Sequence, residues 1–381
     1  MNFRDLNKIL VIKLRQLGDV LLTVPVFRAL REHFPHAHIA ALVNSGTEGM
    51  LAGNPLLDEI IVLNRKNRGV GKLRKWRNEL TFLRDIRRSR FDLTVDLSSG
   101  DRAAIMSFLS GARYRIGTDL CRVGFWGKPH LYTLLATNDG SRHIVLQNLN
   151  VVGQFGITTD NARVDFFIPP AALGFVNDLF CQRRFRDSDI IIHVHPTSAW
   201  LFKCWRDEAM AELIHWLLDQ GIKVILTSAP NVKELSKAKA IVSAIPSSAA
   251  LDANLINLCG QTDVDQLAAI SGTARLFFGV DSMPMHLAAA VGTPVLALFG
   301  PSILHRWAPW SEAMLRITSD SDYQRVYRNG AYHLGIHTVI QRDWECVPCR
   351  RDGCDGSKRS RCLEDITVEE VKKMILKTIP S

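Results

Sequence analysis

Three stretches carry residues able to do chemistry. In LRQLGDVLLTVP, residues 14–25, Asp19 follows Gly18 where an apolar strand gives way to a helical pattern. A carboxylate there has two readings. It can be a helix N-cap, or a general base at the carboxyl end of a parallel strand, where α/β sheets hold their ligands. In HVHPTSAWLFKCW, residues 193–205, an apolar strand ends at Pro196, and Thr197, Ser198 and Lys203 precede the next helix. Two hydroxyls, an ammonium and a helix start suit a phosphate. The glycines of a Walker loop are missing, and a surface loop with an incidental lysine stands as the alternative. In FFGVDSMPMHLAAAVGTPVLALFGPS, residues 277–302, a strand runs into Asp281 and Ser282 and then a small-residue helix. With Ser282 as N-cap, the free N–H groups and positive dipole end of the helix N-terminus would stabilise a pyrophosphate without a metal. Asp281 suits sugar hydroxyls. His286 is either a donor-site residue or a histidine packed on its own helix.

The elements that position these residues alternate. KILVIKL, HIAALVN, EIIVLN, FDLTVDLS, RYRIG and RVDFFI read as strands, with VLLTVPVFRALREHF and a basic stretch as helices among them. The pattern then restarts. DIIIHVHP, KVILTSA, LINLCG, ARLFFGV and PVLALFG alternate with RDEAMAELIHWLLDQG, VKELSKAKAIVSAI, VDQLAAISGT and MPMHLAAAVG. Two such series predict two doubly wound domains with a parallel sheet each, joined near residues 170–188, with the ligand in the cleft between them.

Bulk properties narrow the class. At 381 residues with 47% apolar and 22% charged side chains, the chain reads as two ordinary soluble domains. No apolar run reaches the length of a membrane span, and the N-terminus lacks a signal-peptide layout. The expectation is a cytoplasmic protein with reduced thiols. Residues 64–90 hold eleven Lys/Arg against Glu79 and Asp85, an excess equal to the +9 of the whole chain. That stretch is either a solvated helix face or a surface for a polyanion such as phosphorylated lipid or an anionic membrane. Nucleic acid is disfavoured, since no nucleic-acid module is visible and only Trp76 and Phe82 interleave the charges.

Taken together, KLRQLGDVLLTVPVFRALREHFP, VDSMPMHLAAAVGTPVLALFGPS and the tail CVPCRRDGCDGSKRSRCLEDIT resemble glycosyltransferase family 9, the lipopolysaccharide heptosyltransferases, over nearly the whole chain. HPTSAWLFKCW and GCDGSK are most similar to members that add the third, branching heptose. The resemblance implies a GT-B fold: two facing Rossmann-like domains with the active site in the interdomain cleft. It places an acceptor-binding domain at 1–178, a nucleotide-sugar-binding domain at 186–360, and a C-terminal helix within 361–381 that crosses back to the first domain.

The implied reaction is inverting transfer of L-glycero-D-manno-heptose from ADP-heptose to inner-core heptose of lipopolysaccharide. No metal or other cofactor is implied. Asp19 falls on the family's base. Thr197, Ser198, Lys203 and the backbone at Ser282–Met283 would contact the diphosphate, with Lys203 stabilising the leaving ADP. Asp281 maps to the sugar-contacting Asp, His286 to a donor-site His, and Glu234 to the acid that holds the ribose. Gly18, Lys13, Arg15, Arg65 and Lys66 are the acceptor-side candidates. The anionic acceptor and the basic stretch together imply peripheral attachment to the cytoplasmic face of the inner membrane. The sequence departs from many members at Ser282-Met283, where they carry Thr-Gly, and at Pro284; both departures bear on donor identity. Cys346, Cys349, Cys354 and Cys362, spaced C-x2-C-x4-C-x7-C, could hold a structural zinc outside the chemistry. Three alternatives stay open: a transferase for another nucleotide sugar such as a UDP-hexose, a non-catalytic nucleotide-sugar-binding protein, and a nicotinamide-dependent oxidoreductase. The last is disfavoured by the lack of G-x-G-x-x-G after the first strand.

Overall fold

Long apolar runs bounded by turn residues build parallel strands covered on both faces. In a computed structural model these runs form two parallel-sheet units, Met1–Phe167 and Ile168–Ser381. The structure describes all residues except 1–2, 4–5, 65–71, 120–123, 138–139, 248–252, 317–329 and 380–381.

The first unit holds β1 (Lys8–Lys13), β2 (His38–Asn44), β3 (Glu59–Leu63), β4 (Leu93–Asp96), β5 (Tyr114–Asp119) and β6 (Leu134–Thr137). Their spatial order is β3-β2-β1-β4-β5-β6, with every pairing parallel. The chain winds outward from β1 through β2 and β3, then returns to lay β4 on the other side. The switch point therefore falls between β1 and β4. Its helices are α1 (Leu17–Leu21), α2 (Val24–His33), α3 (Lys72–Arg88), α4 (Asp101–Leu109) and α5 (Ile144–Gly153).

Two expectations change here. The helix over VLLTVPVFRALREHF is two helices, broken at Leu22-Thr23. Pro25 lacks an N–H and its ring crowds the carbonyl four residues back, so the chain restarts with proline in the first turn of α2. RVDFFI, residues 163–168, forms no strand. The α2 residue Arg28 pins it instead, pairing with Asp165 and donating to the Asn161 and Arg163 carbonyls at 3.1 and 2.5 Å.

The second unit holds β7 (Ile191–His195), β8 (Lys223–Leu226), β9 (Leu255–Asn257), β10 (Leu276–Val280), β11 (Val295–Phe299), β12 (Gly330–Leu334) and β13 (His337–Gln341). They are ordered β12-β13-β11-β10-β7-β8-β9, parallel except for the β12–β13 edge pair. The switch point lies between β7 and β10, with Gly279 opposite His195. The helices are α6 (Pro170–Arg183), α7 (Asp207–Asp219), α8 (Val232–Ala244), α9 (Val264–Thr273) and α10 (Met283–Ala290), followed by a closing helix Val368–Thr378. Helix α7 stops at Gly221, whose φ of +73° a β-carbon would oppose.

Strand residues alternate between two cores. Ile192, Val194, Val224, Leu226, Phe278 and Leu298 pack with α7. Ile191, Ile225 and Ile256 pack with α6 and α9 on the opposite face. Helix α6 supplies Ala172 and Val176 to that second core, and the two units divide at 167/168. The closing helix puts Val368, Val371 and Ile375 into the α7 core of the second unit. Among the described residues, no helix is long and apolar enough to cross a membrane.

Candidate active site

In the first unit the relevant loops are those leaving β1 and β4. The main-chain bonds of α1 start at Gln16, and Leu22 N–H returns to Gly18 O at 3.1 Å. Asp19 lies in the first turn, half-buried, and is not the cap. Among the described residues no hydrogen bond or ion pair engages its carboxylate, so its lone pairs are open to a proton donor.

Lys13 was expected to face acceptor charge. It is instead 3% exposed, with its ammonium donating to Leu97 O at 3.0 Å and Asn148 Oδ1 at 3.2 Å. Burial of an ammonium is tolerable only with such partners, so Lys13 ties β4 and α5 to β1 rather than reaching outward. Arg15 folds its guanidinium onto Ser98 O at 2.8 and 3.1 Å. Arg65 and Lys66 lie outside the described residues. Of the basic stretch, Arg74, Arg77, Arg84 and Arg87 on α3 are exposed, beside exposed Trp76 and Leu80, while Phe82, Leu83 and Ile86 face the core.

The sequence reading missed Asp96 at the end of β4, fully buried. It accepts from the Ser98 and Ser99 N–H groups at 2.7 and 3.2 Å and from the Tyr132 hydroxyl at 2.5 Å. Burial pushes its carboxyl up, and burial beside Asp96 pushes the Tyr132 phenol up. Near them, at the carboxyl end of β5, a cavity of about 470 Å³ is lined by Asp119, Phe125, Trp126, Lys128 and His130 among others. An Asp inside FDLTVDLS was the available signal: a carboxylate in an otherwise apolar strand is seldom free of function or partner.

The second unit gathers most of the remaining candidates at the carboxyl ends of β7, β8 and β10. Lys203 donates from Nζ to Asp281 Oδ2 at 2.7 Å, across the switch point. Thr197 donates to Glu234 Oε2 at 2.7 Å, and Asn231 Nδ2 donates to Oε1 of the same carboxylate at 2.7 Å. Asn231 is also the side-chain cap of α8, which places Glu234 in its first turn. Ser198 is buried, its hydroxyl accepting from Trp200 N–H at 3.3 Å.

Ser282 occupies the N-cap of α10, yet its hydroxyl donates to Val280 O at 3.3 Å and makes no side-chain cap bond. Pro284 removes one N–H from that first turn, leaving Met283 to present its own. His286 is buried a turn further along. Thr197, Glu234, Lys203 and Asp281 are thus brought into two bonded pairs on adjacent loops.

Beneath them lie two buried histidines that the sequence reading left without a role. His193 and His195 on β7 bond to Ser271, Thr227 and Thr197. Burial holds both imidazoles neutral, His195 down to about 3 and His193 well below the usual value, with His195 as a second cause there.

The tail bears on the site more than its sequence implied. Ser360 donates to Phe202 O at 2.6 Å, and Trp205 Nε1 donates to Ile366 O at 3.1 Å, so the tail grips both sides of Lys203. The zinc reading of Cys346, Cys349, Cys354 and Cys362 is not met. All four are free thiols, Cys362 buried and Cys346 exposed. Among the described residues, no group of three or more His, Cys, Asp or Glu is arranged to hold a metal. Burial, with the other three cysteines nearby, pushes the Cys362 thiol up to about 11.

With this geometry in view, comparison with known proteins is decisive. The sequence profile of glycosyltransferase family 9 (heptosyltransferase) matches residues 80–329. The chain belongs to glycosyltransferase family 9. It is 30% identical over 321 residues to lipopolysaccharide heptosyltransferase 3 of Escherichia coli K12, covering 82% of this chain and 88% of that one. It is 25% identical over 345 residues to lipopolysaccharide heptosyltransferase 2 of the same strain, covering 87% and 94%.

Solved structures agree in fold. A family 9 transferase from Veillonella parvula superposes with a TM-score of 0.76 at 22% identity, covering 98% and 97% of the two chains. E. coli ADP-heptose lps heptosyltransferase II gives 0.74 at 20% identity, covering 97% and 98%. The two parallel-sheet units are therefore those of GT-B heptosyltransferase structures, and the protein is a glycosyltransferase of the heptosyltransferase family.

Proposed function

We propose that this enzyme moves L-glycero-D-manno-heptose from ADP-heptose to an inner-core heptose of lipopolysaccharide, with inversion at the anomeric carbon. Asp19 takes the proton of the attacking acceptor hydroxyl, an effect worth about 10²–10⁴-fold. Lys203 carries the positive charge that meets the departing ADP, assisted by Ser198 and the N–H groups at Ser282–Met283, while Thr197, whose hydroxyl donates to Glu234, holds that carboxylate in place. Asp281 orients Lys203 and accepts from sugar hydroxyls. Glu234 takes the ribose, and His286 lines the donor site.

The observation that carries this reading is the pair of switch points. An unengaged carboxylate follows β1 in one unit, and a lysine held at 2.7 Å by a buried aspartate spans β7 and β10 in the other. The named relatives supply the substrate class: a structural neighbour is described as an ADP-heptose lps heptosyltransferase, and the curated relatives as lipopolysaccharide heptosyltransferases. No metal is needed in this scheme, because the leaving group meets an ammonium and backbone dipoles.

The anionic acceptor fits the exposed arginines of α3. The same face, with Trp76 and Leu80, suits peripheral attachment to an anionic membrane on its cytoplasmic side. A different nucleotide sugar is the second reading, and Pro284 favours it, since one N–H fewer is left for the diphosphate. Competition binding of ADP-heptose against UDP-hexoses separates the two. The decisive test is mass spectrometry of core oligosaccharide from cells with and without the protein. A difference of one heptose is expected, and an unchanged mass overturns the proposal.

A further inference from the structure

The α6/α9 face of the second sheet is apolar at Ile191, Ile225 and Ile256, yet β7 places His193 and His195 on that same face by strand alternation. Both rings are fully enclosed, and a structural reason for two imidazoles in place of two aliphatics has to be found in their partners.

Those partners form one unbroken line. Ser271 Oγ lies 2.8 Å from His193 Nδ1, and His193 Nε2 lies 2.8 Å from Thr227 Oγ1. Thr227 Oγ1 is in turn 2.8 Å from His195 Nδ1. His195 Nε2 is 3.4 Å from Thr197 Oγ1, which donates to Glu234 Oε2 at 2.7 Å. The line starts in α9, crosses the sheet at β7 and the end of β8, and finishes at the carboxylate in the first turn of α8.

Its direction follows from proton counting. Glu234, as a carboxylate, only accepts. Thr197 gives its single hydroxyl proton to Glu234 and can offer His195 only a lone pair, so His195 carries its proton on Nε2. Its bare Nδ1 then takes the Thr227 proton. Thr227 has none left for His193, which must likewise be protonated on Nε2 and accept from Ser271 at Nδ1. A single tautomer satisfies every member, and every proton points toward Glu234. A buried network satisfied in one way only is rigid.

We infer that His193, Thr227 and His195 are positioning residues that fix Thr197 and, through its hydrogen bond, hold the Glu234 carboxylate in the one orientation in which it meets the nucleotide of the donor. The inference rests on the donor reading given above. It adds that nucleotide affinity is set in part by side chains that never touch the nucleotide.

Thr227→Val keeps the side-chain shape and removes the hydroxyl at the centre of the line. His193 then has a buried N–H without an acceptor, and His195 a bare nitrogen without a donor. The strain is relieved by rotation or a tautomer change, which frees Thr197. Titration calorimetry with ADP on the full chain should show affinity falling about tenfold in Thr227→Val. It should recover to within about twofold of wild type in Thr227→Ser, which restores the hydroxyl. In turnover assays the donor KM should rise by a similar factor, with kcat within about twofold.

Nitrogen-15 spectra of histidine-labelled protein supply an independent readout. Two ring signals should report protonated Nε2 and bare Nδ1 in the wild type, and at least one should change in Thr227→Val. If Thr227→Val loses thermal stability but binds ADP as the wild type does, or if the wild-type rings are protonated on Nδ1, the inference is overturned. If the wild type itself binds no ADP while the tautomer pattern is as stated, the donor reading fails and not the proton order of the line.

Discussion

Lys203→Ala is the perturbation whose consequences the structure separates most clearly. The ammonium has two jobs in the proposed reaction. It meets the charge that develops on the departing diphosphate, and it neutralises Asp281, whose side chain is 6% exposed against 23% for the lysine. Removing one charged donor aimed at a developing anion costs about 10²–10³-fold in kcat, or ~3–4 kcal/mol of barrier. Leaving Asp281 without its partner costs roughly 1–3 kcal/mol of folding stability, as for a buried polar group stripped of its hydrogen bond. Each kcal/mol lowers the melting temperature by about 2–4 °C in a unit of this size.

The two effects part company in Lys203→Ala/Asp281→Asn. The neutral amide no longer needs a cation, so most of the lost melting temperature should return. The transfer rate should stay at the Lys203→Ala level or lower. The assay is single-turnover transfer to a purified core acceptor at saturating donor, beside thermal melts of the wild type, both single variants and the double. If Lys203→Ala keeps kcat within about fivefold of wild type, the lysine does not face the leaving group. If the double variant regains activity along with stability, the loss in Lys203→Ala was structural.

Four further outcomes are expected. Asp19→Asn should lower kcat by about 10²–10⁴-fold with donor affinity, read by calorimetry, within about twofold of wild type; equal losses in both would remove it as the base. EDTA dialysis should leave transfer rates unchanged, and a strong loss restored by a divalent ion would refute leaving-group stabilisation by Lys203. Gly279→Ala should destabilise by roughly 1–3 kcal/mol, because a Cβ there would sit 2.7 Å from the His195 carbonyl on the neighbouring strand; an unchanged melt would contradict that close approach.

Glu370 gives the pH prediction. Its hydrogen bond to Arg342 is the main cause that draws the carboxyl down to about 2, with the Thr367 cap bonds also lowering it and burial opposing. A carboxyl depressed on folding stabilises fully above its unfolded pKa of about 4.3 and loses that contribution as pH falls toward 2. Because the side chain is 41% exposed, solvent screening limits the effect to about 1 kcal/mol. Glu370→Gln should therefore lower stability near neutrality and flatten the acid limb of a melting-temperature profile between pH 4.5 and 2.

Much of the fold was legible because the strands of both sheets are covered on two faces. ILVI within β1, LFFGV in β10 and VLALF in β11 are continuous apolar runs, and such runs between helical patterns leave few topologies. Where periodicity is weak the reading slipped. RVDFFI has strand composition, but Arg28 holds it as a loop. Strand β6 is four residues and half-exposed, and β13, though buried along its length, reads HTVIQ with three polar residues in five, so neither shows an apolar run in the sequence. The closing helix was recognised as amphipathic, but an apolar stripe does not say what it packs on.

The site shows a sharper division. Asp19, Thr197, Lys203, Asp281 and Ser282 could be placed from the sequence because each lies in the loop or first turn after a parallel strand, and parallel topology then fixes which edge of the sheet it occupies. Lys13 follows the same rule and was misread, since it is the last strand residue and alternation turns it inward to Leu97 and Asn148. The His193–Thr227–His195 line was beyond reach for a different reason. Its members are 34 and 32 residues apart in sequence, and they meet only because β8 lies beside β7. Each histidine taken singly reads as an ordinary core residue. What the sequence did hold was a spacing: His193 and His195 stand two apart on one strand and so share a face, and polar groups buried there need hydrogen-bond partners.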